Sequence, residues 1–402
     1  MRSRMLSVFA HLGQTVQARW NAAGQDADAF AELATRSVEE IAPAQEVDAP
    51  GLLAEMAGTD FRTEQLSSPA FGEPAVTVYS GENFYIEVLY WFASTTAIHD
   101  HAFCGAFSVL DGGSLHSQYS FTPSVNCGDG LTLGTLESIR NERLRKGDVR
   151  TIHPYDGLIH SLFHIEHPSV SLVVRTQPHI QKGQRNFFPP FVAVETNTTP
   201  FANTTVGEAV SAAAAQLGAE EPERARTMLM TLAPRLSAQA LVEMIFSLPR
   251  LTADDARELL DAASSLAPAA KDLIMRSFEE VQRRDQLGAG RGLMQSPVGR
   301  YFLAALRCAS DRNALMDLLR SEHPHRNPAE VAIEGIEAMR AFDWITMDDA
   351  SAGVTAKLLT VPLHALEHFA QEQDEFDPED VQEFLTHLRG TILRPLFVGC
   401  DS

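Results

Sequence analysis

Two stretches decide the reading of this chain: Ile98-His99-Asp100-His101-Ala102-Phe103-Cys104-Gly105, and the run from Gly147-Asp148 through Pro154 and Gly157 to His160. In an extended strand successive side chains point to opposite faces. His99 and His101 therefore share a face, two strand rises apart, and can share one metal ion. An H-x-H pair alone arises often by chance. The second stretch gives it weight: Gly147-Asp148 opens a strand, Pro154 and Gly157 shape a turn, and His160 follows within Leu158-Ile159-His160-Ser161-Leu162-Phe163. Six of the 14 histidines fall between His99 and His164, so the chemistry concentrates there.

The texture around these stretches is that of a β-rich unit. Val76–Tyr79, Tyr85–Phe92, Ala106–Leu110, Gln118–Phe121, Val149–Ile152 and Val170–Arg175 are rich in β-branched and aromatic residues. Gly112-Gly113, Gly128-Asp129-Gly130, Gly147-Asp148 and Asp156-Gly157 separate them. Many short strands with Gly/Asp turns predict a sandwich or barrel. Before it, Ala27–Glu40 carries helical spacing that Pro43, Pro50 and Gly51 punctuate. After it, Asn186–Thr199, with Pro189, Pro190 and then Pro200, reads as a linker. Helix starts are legible beyond: Ser237, Thr252 with Asp255 three residues on, and Asp377 with Pro378 at the first helical position. The expected division is an N-terminal helical segment over 1–60, a β-barrel over 61–195 and an α-helical domain over 196–402.

Composition bounds the function. The 402 residues carry 32 Lys+Arg against 53 Asp+Glu, a formal charge of −21. Such a surface repels phosphate backbones, so neither nucleic acid nor an anionic membrane is an expected partner. Four scattered cysteines make neither a disulfide framework nor a zinc ribbon and fit a reducing compartment. With no signal-peptide core and no apolar run of spanning length, a soluble cytoplasmic protein is expected.

Taken together, the two stretches resemble the cupin superfamily. Gly147-Asp148, five residues, then Pro154, Gly157 and His160 match its second motif, while His99, His101 and Gly112 match its first. The glutamate usual after H-x-H is replaced by Cys104 or Gly105, and His164 stands where an asparagine is frequent. The resemblance implies an α+β multidomain protein with a cupin-type (jelly-roll) β-barrel, N-terminal helices and a C-terminal all-α domain. Its metal ligands would be His99, His101 and His160. Three histidines without a carboxylate look most like the cysteine dioxygenase-like branch. The stretches Asn83–Trp91, Ser94–His101 and Pro168–Leu172 are also similar to that branch. It carries a Ser-His-Tyr relay after the third histidine, whereas this chain has Ser171, Val173 and Arg175, and its substrate-binding arginine has no counterpart around Thr77–Tyr79. A thiol substrate is therefore not supported.

The resemblance implies a non-haem Fe(II)-dependent oxygenase or dioxygenase with O2 as co-substrate, acting on a small polar molecule; without a carboxylate ligand the iron keeps a higher net charge, which favours an anionic one. Imidazoles also bind other divalent transition metals, so a metal-dependent isomerase or hydrolase on the same site stays open. So does a non-enzymatic ligand-binding cupin with a helical interaction domain, through which a homodimer or carrier-protein contact would form. Arg175, a charge inside an apolar run, faces either solvent or an anionic ligand; with Tyr90 it is a candidate catalytic residue. Gln118 and Tyr119 are candidate pocket walls. Cys104 is expected to point away from His99 and His101, and His164 to be a satisfied core histidine. His153, His167 and His179 read as turn or surface residues, and His323-Pro324-His325 as a loop. His364-Ala365-Leu366-Glu367-His368 reads as a chance match to a zinc-peptidase motif, and Glu372–Glu383 as a solvated helix start.

Overall fold

The computed structural model describes residues 4–58, 61, 63–66, 72–177, 183–196, 205–248, 250–342, 345–362, 365 and 378–399. Its strands are β1 (Ala75–Ser80), β2 (Phe84–Trp91), β3 (Ile98–His99), β4 (Gly105–Asp111), β5 (Gly113–Gly128), β6 (Leu131–Arg145), β7 (Val149–Ile152), β8 (Ile159–His164), β9 (Ser169–Thr176), β10 (Arg185–Phe188) and β11 (Val192–Glu195). One antiparallel sheet runs β1-β2-β9-β4-β7, and β10-β11-β6-β5-β8-β3 close into a barrel. Helices precede and follow the strands, which is the α+β, cupin-type architecture expected.

β2 is buried along its whole length because both of its faces are covered. Phe84, Ile86, Val88 and Tyr90, with Val170, Leu172 and Val174 of β9, pack against the N-terminal helices. Those helices, Arg4–Ala22 and Ala27–Ile41, present Phe9, Leu12, Val16 and Trp20, then Phe30, Ala34 and Val38, a stripe at spacings of three and four. Burying each large side chain contributes about 1.5–3 kcal/mol. Leu89, Trp91 and Val173 point the other way, into the space between the two sheets.

The C-terminal helices cover the opposite side. Leu115 of β5 and Phe163 of β8 pack among Phe302, Leu306 and Leu319. Leu131 and Leu133 of β6, with Val192 and Val194 of β11, pack among Leu241, Ile245, Leu260 and Phe278. The expected helix starts at Ser237 and Thr252 are capped by those side chains, the second as a reciprocal box with Asp255. Helix Pro378–Arg389 begins at the expected proline. Asp377, His179, the motif residues His364, Leu366, Glu367 and His368, and the first part of the acidic run from Glu372 lie outside the described residues.

The expected linker from Asn186 is a correction. β10 and β11 occupy half of it, with Phe187, Val192, Ala193 and Val194 buried and the two prolines Pro189 and Pro190 confined to the turn between them. Proline cannot donate to a ladder but is at home in a turn. The long β5–β6 hairpin is likewise more than the Gln118–Phe121 strand expected: Gly113 pairs with Arg145 at one end and Gly128 with Leu131 at the other.

Arg291, at the end of helix Pro268–Gly290, locks the helical half to the barrel. It is fully buried and donates to four carbonyls: His164, Phe92 (3.1 Å), Ser94 (3.5 Å) and Glu166 (3.0 Å). Replacing it with Met, which keeps the volume but none of the donors, is expected to lower stability by roughly 2–4 kcal/mol, because charged hydrogen bonds are lost and carbonyls stay buried. Urea unfolding of Arg291→Met checks this.

Candidate metal centre

β3 is only two residues long, yet it positions the site, because His99 lies directly opposite His160 of β8. The strand is held from both sides. Thr96 accepts the Leu162 N–H through its hydroxyl (2.6 Å) and donates its own N–H to the Leu162 carbonyl (3.0 Å). Asp100, between the two histidines and fully buried, takes the Arg185 N–H and Nε–H at 2.6 Å each. The polar residue of H-x-H thus turns outward to hold β10, while His99 and His101 turn inward.

His99, His101 and His160 converge, each offering a nitrogen, all within 4.8 Å of one another. Their ring centroids are 4.8–4.9 Å apart. Their tautomers are partly set by neighbours. Nδ1 of His99 lies 3.0 Å from the Ala97 carbonyl, which can only accept, so this nitrogen donates and Nε2 carries the lone pair. Nδ1 of His101 and Nε2 of His160 are buried without a hydrogen-bond partner. Each unsatisfied buried nitrogen costs about 1–3 kcal/mol, a cost that a bound metal would remove. Three neutral imidazoles are a donor set suited to Fe, Zn, Cu or Ni. The residues present therefore fit a divalent transition metal.

Burial keeps these rings neutral. It pushes His99 down to about 4, and it pushes His101 and His160 well below the ordinary histidine range, with the neighbouring His99 ring adding to the effect. Neutral rings bind metal without first losing a proton.

Behind His160 stands a residue without any motif signal. His116 of β5 is fully buried; its Nε2 is 2.9 Å from His160 Nδ1 and its Nδ1 is 3.0 Å from Glu142 Oε1 of β6. Arg150 of β7 binds both oxygens of that carboxylate (2.8 and 2.7 Å), and Arg140 adds a third contact at 2.9 Å. Arg150 and His116 together hold the Glu142 carboxyl far below the usual carboxylate range. The signal that could have found His116 is its place on β5, two residues before Gln118, which pairs with His160.

The cluster opens into a cavity of about 420 Å³ between the sheets, walled by Leu89, Trp91, Phe103, Phe107, Leu162 and Val173. Arg175 also faces it. Its guanidinium lies 3.5 Å from the Phe103 ring centroid and 3.5 Å from Glu87 Oε1, and Glu87 lines the same cavity. Glu87, part of the cavity's charged pair, carries no motif signal: in sequence it is one polar residue within an apolar strand.

Tyr90 is a correction. One residue's difference in parity puts it on the outer face of β2, among the N-terminal helices and stacked on Phe92 at 6.1 Å, not in the cavity. Gln118 and Tyr119 do not line the cavity either; Tyr119 packs with Ile98, Ile159 and Phe187. Cys104 points away from the histidines, its thiol near the Ala27 carbonyl (3.5 Å) and the Thr176 hydroxyl (3.7 Å). His164 lies further along β8, its Nδ1 bonded to the Ser114 hydroxyl (2.8 Å) and its ring stacked on Trp91 at 4.7 Å. His153 and His167 make surface contacts with Glu32 and the Phe92 carbonyl.

At Gly105, one of the two positions where the glutamate would stand, a side chain is sterically excluded. A Cβ at Gly105 would stand 1.9 Å from the Val174 carbonyl oxygen, because β4 and β9 approach closely where Gly105 pairs with Arg175. No side chain fits there, so a fourth, carboxylate ligand is excluded at that position.

No protein-family profile and no curated protein sequence matches the chain. Matching solved structures include one described as "Crystal structures of DMSP lyases RdDddP and RnDddQII". It is 16% identical, with the match covering 36% of this chain and 70% of that chain at a TM-score of 0.24. That likeness is too slight to bear on activity. What the chain itself shows is a closed barrel with a facing sheet, and a cluster of three histidines placed so that they could hold a metal ion.

The buried rings give an acid-sensitive fold. His99 binds a proton near 6.5 when unfolded but only near 4 when folded. The unfolded chain thus holds more protons in between, and stability present above pH 6.5 is lost as pH falls towards 4. For His99 alone this amounts to roughly 3 kcal/mol. Thermal unfolding of the metal-free protein between pH 7.5 and 4 is expected to show this loss, with a shallower slope in His99→Gln.

Proposed function

We propose that this protein is a mononuclear metal enzyme of cupin type and, more specifically, an Fe(II)-dependent dioxygenase acting on a small anionic molecule. The observation that carries the reading is the convergence of three neutral, buried imidazoles, two with unpartnered nitrogens, on a cavity that also holds Arg175. His99, His101 and His160 would hold the metal. When bound, a ferrous ion would supply the electron transfer to O2 that no side chain can provide.

The chain's own residues do the rest. Arg175 binds an anionic group of the substrate, since its guanidinium is fixed between the Phe103 face and Glu87. Leu89, Trp91, Phe107 and Val173 exclude water and orient the apolar part. A second reading rests on Glu87. A carboxylate inside the cavity is a general base or acid, which suits an isomerase or hydrolase on the same metal.

The test is metal content and oxygen uptake. Protein loaded anaerobically with Fe(II) is expected to hold about one iron per chain, lost in His160→Ala. The loaded protein is expected to consume O2 with some members of a panel of small carboxylates, sulfonates and phosphonates. Arg175→Gln is expected to raise KM for an active compound by about 10- to 100-fold, the cost of one charged hydrogen bond. Turnover that continues without O2 would favour the second reading, and failure to bind any divalent metal would overturn both.

A further inference from the structure

The hydrogen bonds behind His160 form a directed chain with only one consistent arrangement. Glu142 is ionised and can only accept, so His116 must present Nδ1–H to it across the 3.0 Å contact. His116 is fully buried, and the one carboxylate it touches is already engaged by Arg150 and Arg140, so a second positive charge on the ring would be uncompensated and the ring is neutral. Its second nitrogen, Nε2, therefore carries a lone pair. That lone pair faces His160 Nδ1 at 2.9 Å, which must then be the N–H. The remaining nitrogen of His160, Nε2, is left with its lone pair, and this is the buried nitrogen that lacks a partner. The opposite tautomer of either ring would set two lone pairs or two hydrogens against each other at hydrogen-bond distance.

We propose that Glu142 and His116 are positioning residues that lock His160 in its Nδ1–H tautomer and so present its Nε2 lone pair to the cavity. The proposal rests on the reading of His160 as a metal ligand and adds what makes it one. Arg150 belongs to the lock. It holds Glu142 through both oxygens from β7, a strand of the other sheet, so the orientation of a ligand on the barrel depends on a contact between the sheets. His99 needs no such chain, since the Ala97 carbonyl two residues away sets its tautomer locally. His160 has no such local acceptor at Nδ1, and its partner comes from 44 residues away in sequence.

Two substitutions separate the lock from simple packing. His116→Phe keeps a buried ring but removes the acceptor, leaving His160 without a preferred tautomer. Glu142→Gln replaces one oxygen by an NH2 group. The remaining oxygen is best placed at the Oε2 position, where Arg150 and Arg140 both donate; the NH2 then faces His116 and opposes a single arginine donor, the Arg150 Nε–H, instead of two. Both rings are then expected to reverse, giving His160 an Nε2–H. His116→Gln, whose amide oxygen can accept from His160, is the rescue variant.

The experiment is ¹⁵N NMR of the histidine rings in metal-free protein, with Zn(II) affinity measured by chelator competition. The wild type is expected to show His160 protonated at Nδ1. Loss of that state in either folded variant, with Zn(II) binding weakened about 10- to 100-fold and largely restored in His116→Gln, supports the lock. An Nε2–H tautomer in the wild type, or Nδ1–H retained in every folded variant, overturns it. Thermal unfolding identifies which variants fold, and Glu142→Gln, at the more accessible end of the chain, keeps the test open if His116→Phe does not. Because the ring spectra need no metal, a wild type that shows the expected tautomer but binds no Zn(II) would remove the metal reading and leave the lock standing.

Discussion

The direct pairing of His99 with His160 across β3 and β8 is the contact on which the rest depends. Two imidazoles opposite each other on one face of a ladder are brought close by the sheet itself, without any special loop. The pair exists only while β3 is in register. A two-residue strand cannot hold register by its own hydrogen bonds, so neighbours supply the constraint: Thr96 against Leu162 on one side and Asp100 with Arg185 on the other. A slip of one residue in this segment would turn His99 and His101 out of the cavity and drive Asp100 into it, unpaired. Burying that carboxylate alone would cost far more than the slip could recover.

Alternation explains what was legible in the sequence and what was not. The inward direction of His99, His101 and His160 follows from strand parity and motif spacing, and the outward direction of Cys104 follows from the same parity. Arg175 was readable as an anomaly, a charge in an apolar run, but its face was not. Both faces of β9 are apolar because helices cover one and the cavity occupies the other, so hydrophobic pattern cannot say which is which. Tyr90 failed for the same reason, lying one residue from Leu89 and Trp91 on a strand buried throughout. His116 and Glu142 could not be found from motifs, because their relation to His160 is a matter of cross-strand register over 44 and 26 residues. The β10–β11 hairpin was hidden by its two prolines, which mark the turn rather than the absence of strands.

The helical segments contribute to the site through packing rather than chemistry. N-terminal helices cover the outer face of the five-stranded sheet, and C-terminal helices cover the barrel. With both outer faces sealed, the space between the sheets is the apolar interior into which polar residues are admitted only with partners. Arg291 serves this arrangement from outside. By donating to carbonyls on the segments that follow β2 and β8, it fixes Phe92, Ser94 and His164 together, and these flank the stretch that leads into His99 and the strand that ends just past His160.

The charges in the cavity bear on what it would accept. Three imidazoles held neutral by burial do not offset the charge of a divalent ion, and no carboxylate can stand beside them at Gly105. Glu87 is committed to Arg175 at 3.5 Å, so the two charges balance each other more than they balance a metal. A loaded site of this composition would keep an excess of positive charge inside an apolar wall, where interactions between charges are strong. The surrounding chain, at −21 overall, would disfavour anions at long range, but screening limits that field to about 8 Å at physiological ionic strength. Inside the cavity the local excess dominates. An anion that meets the metal with one group and Arg175 with another would neutralise it, and selection by charge would then come from the cavity, with its aromatic and aliphatic walls left to discriminate by shape.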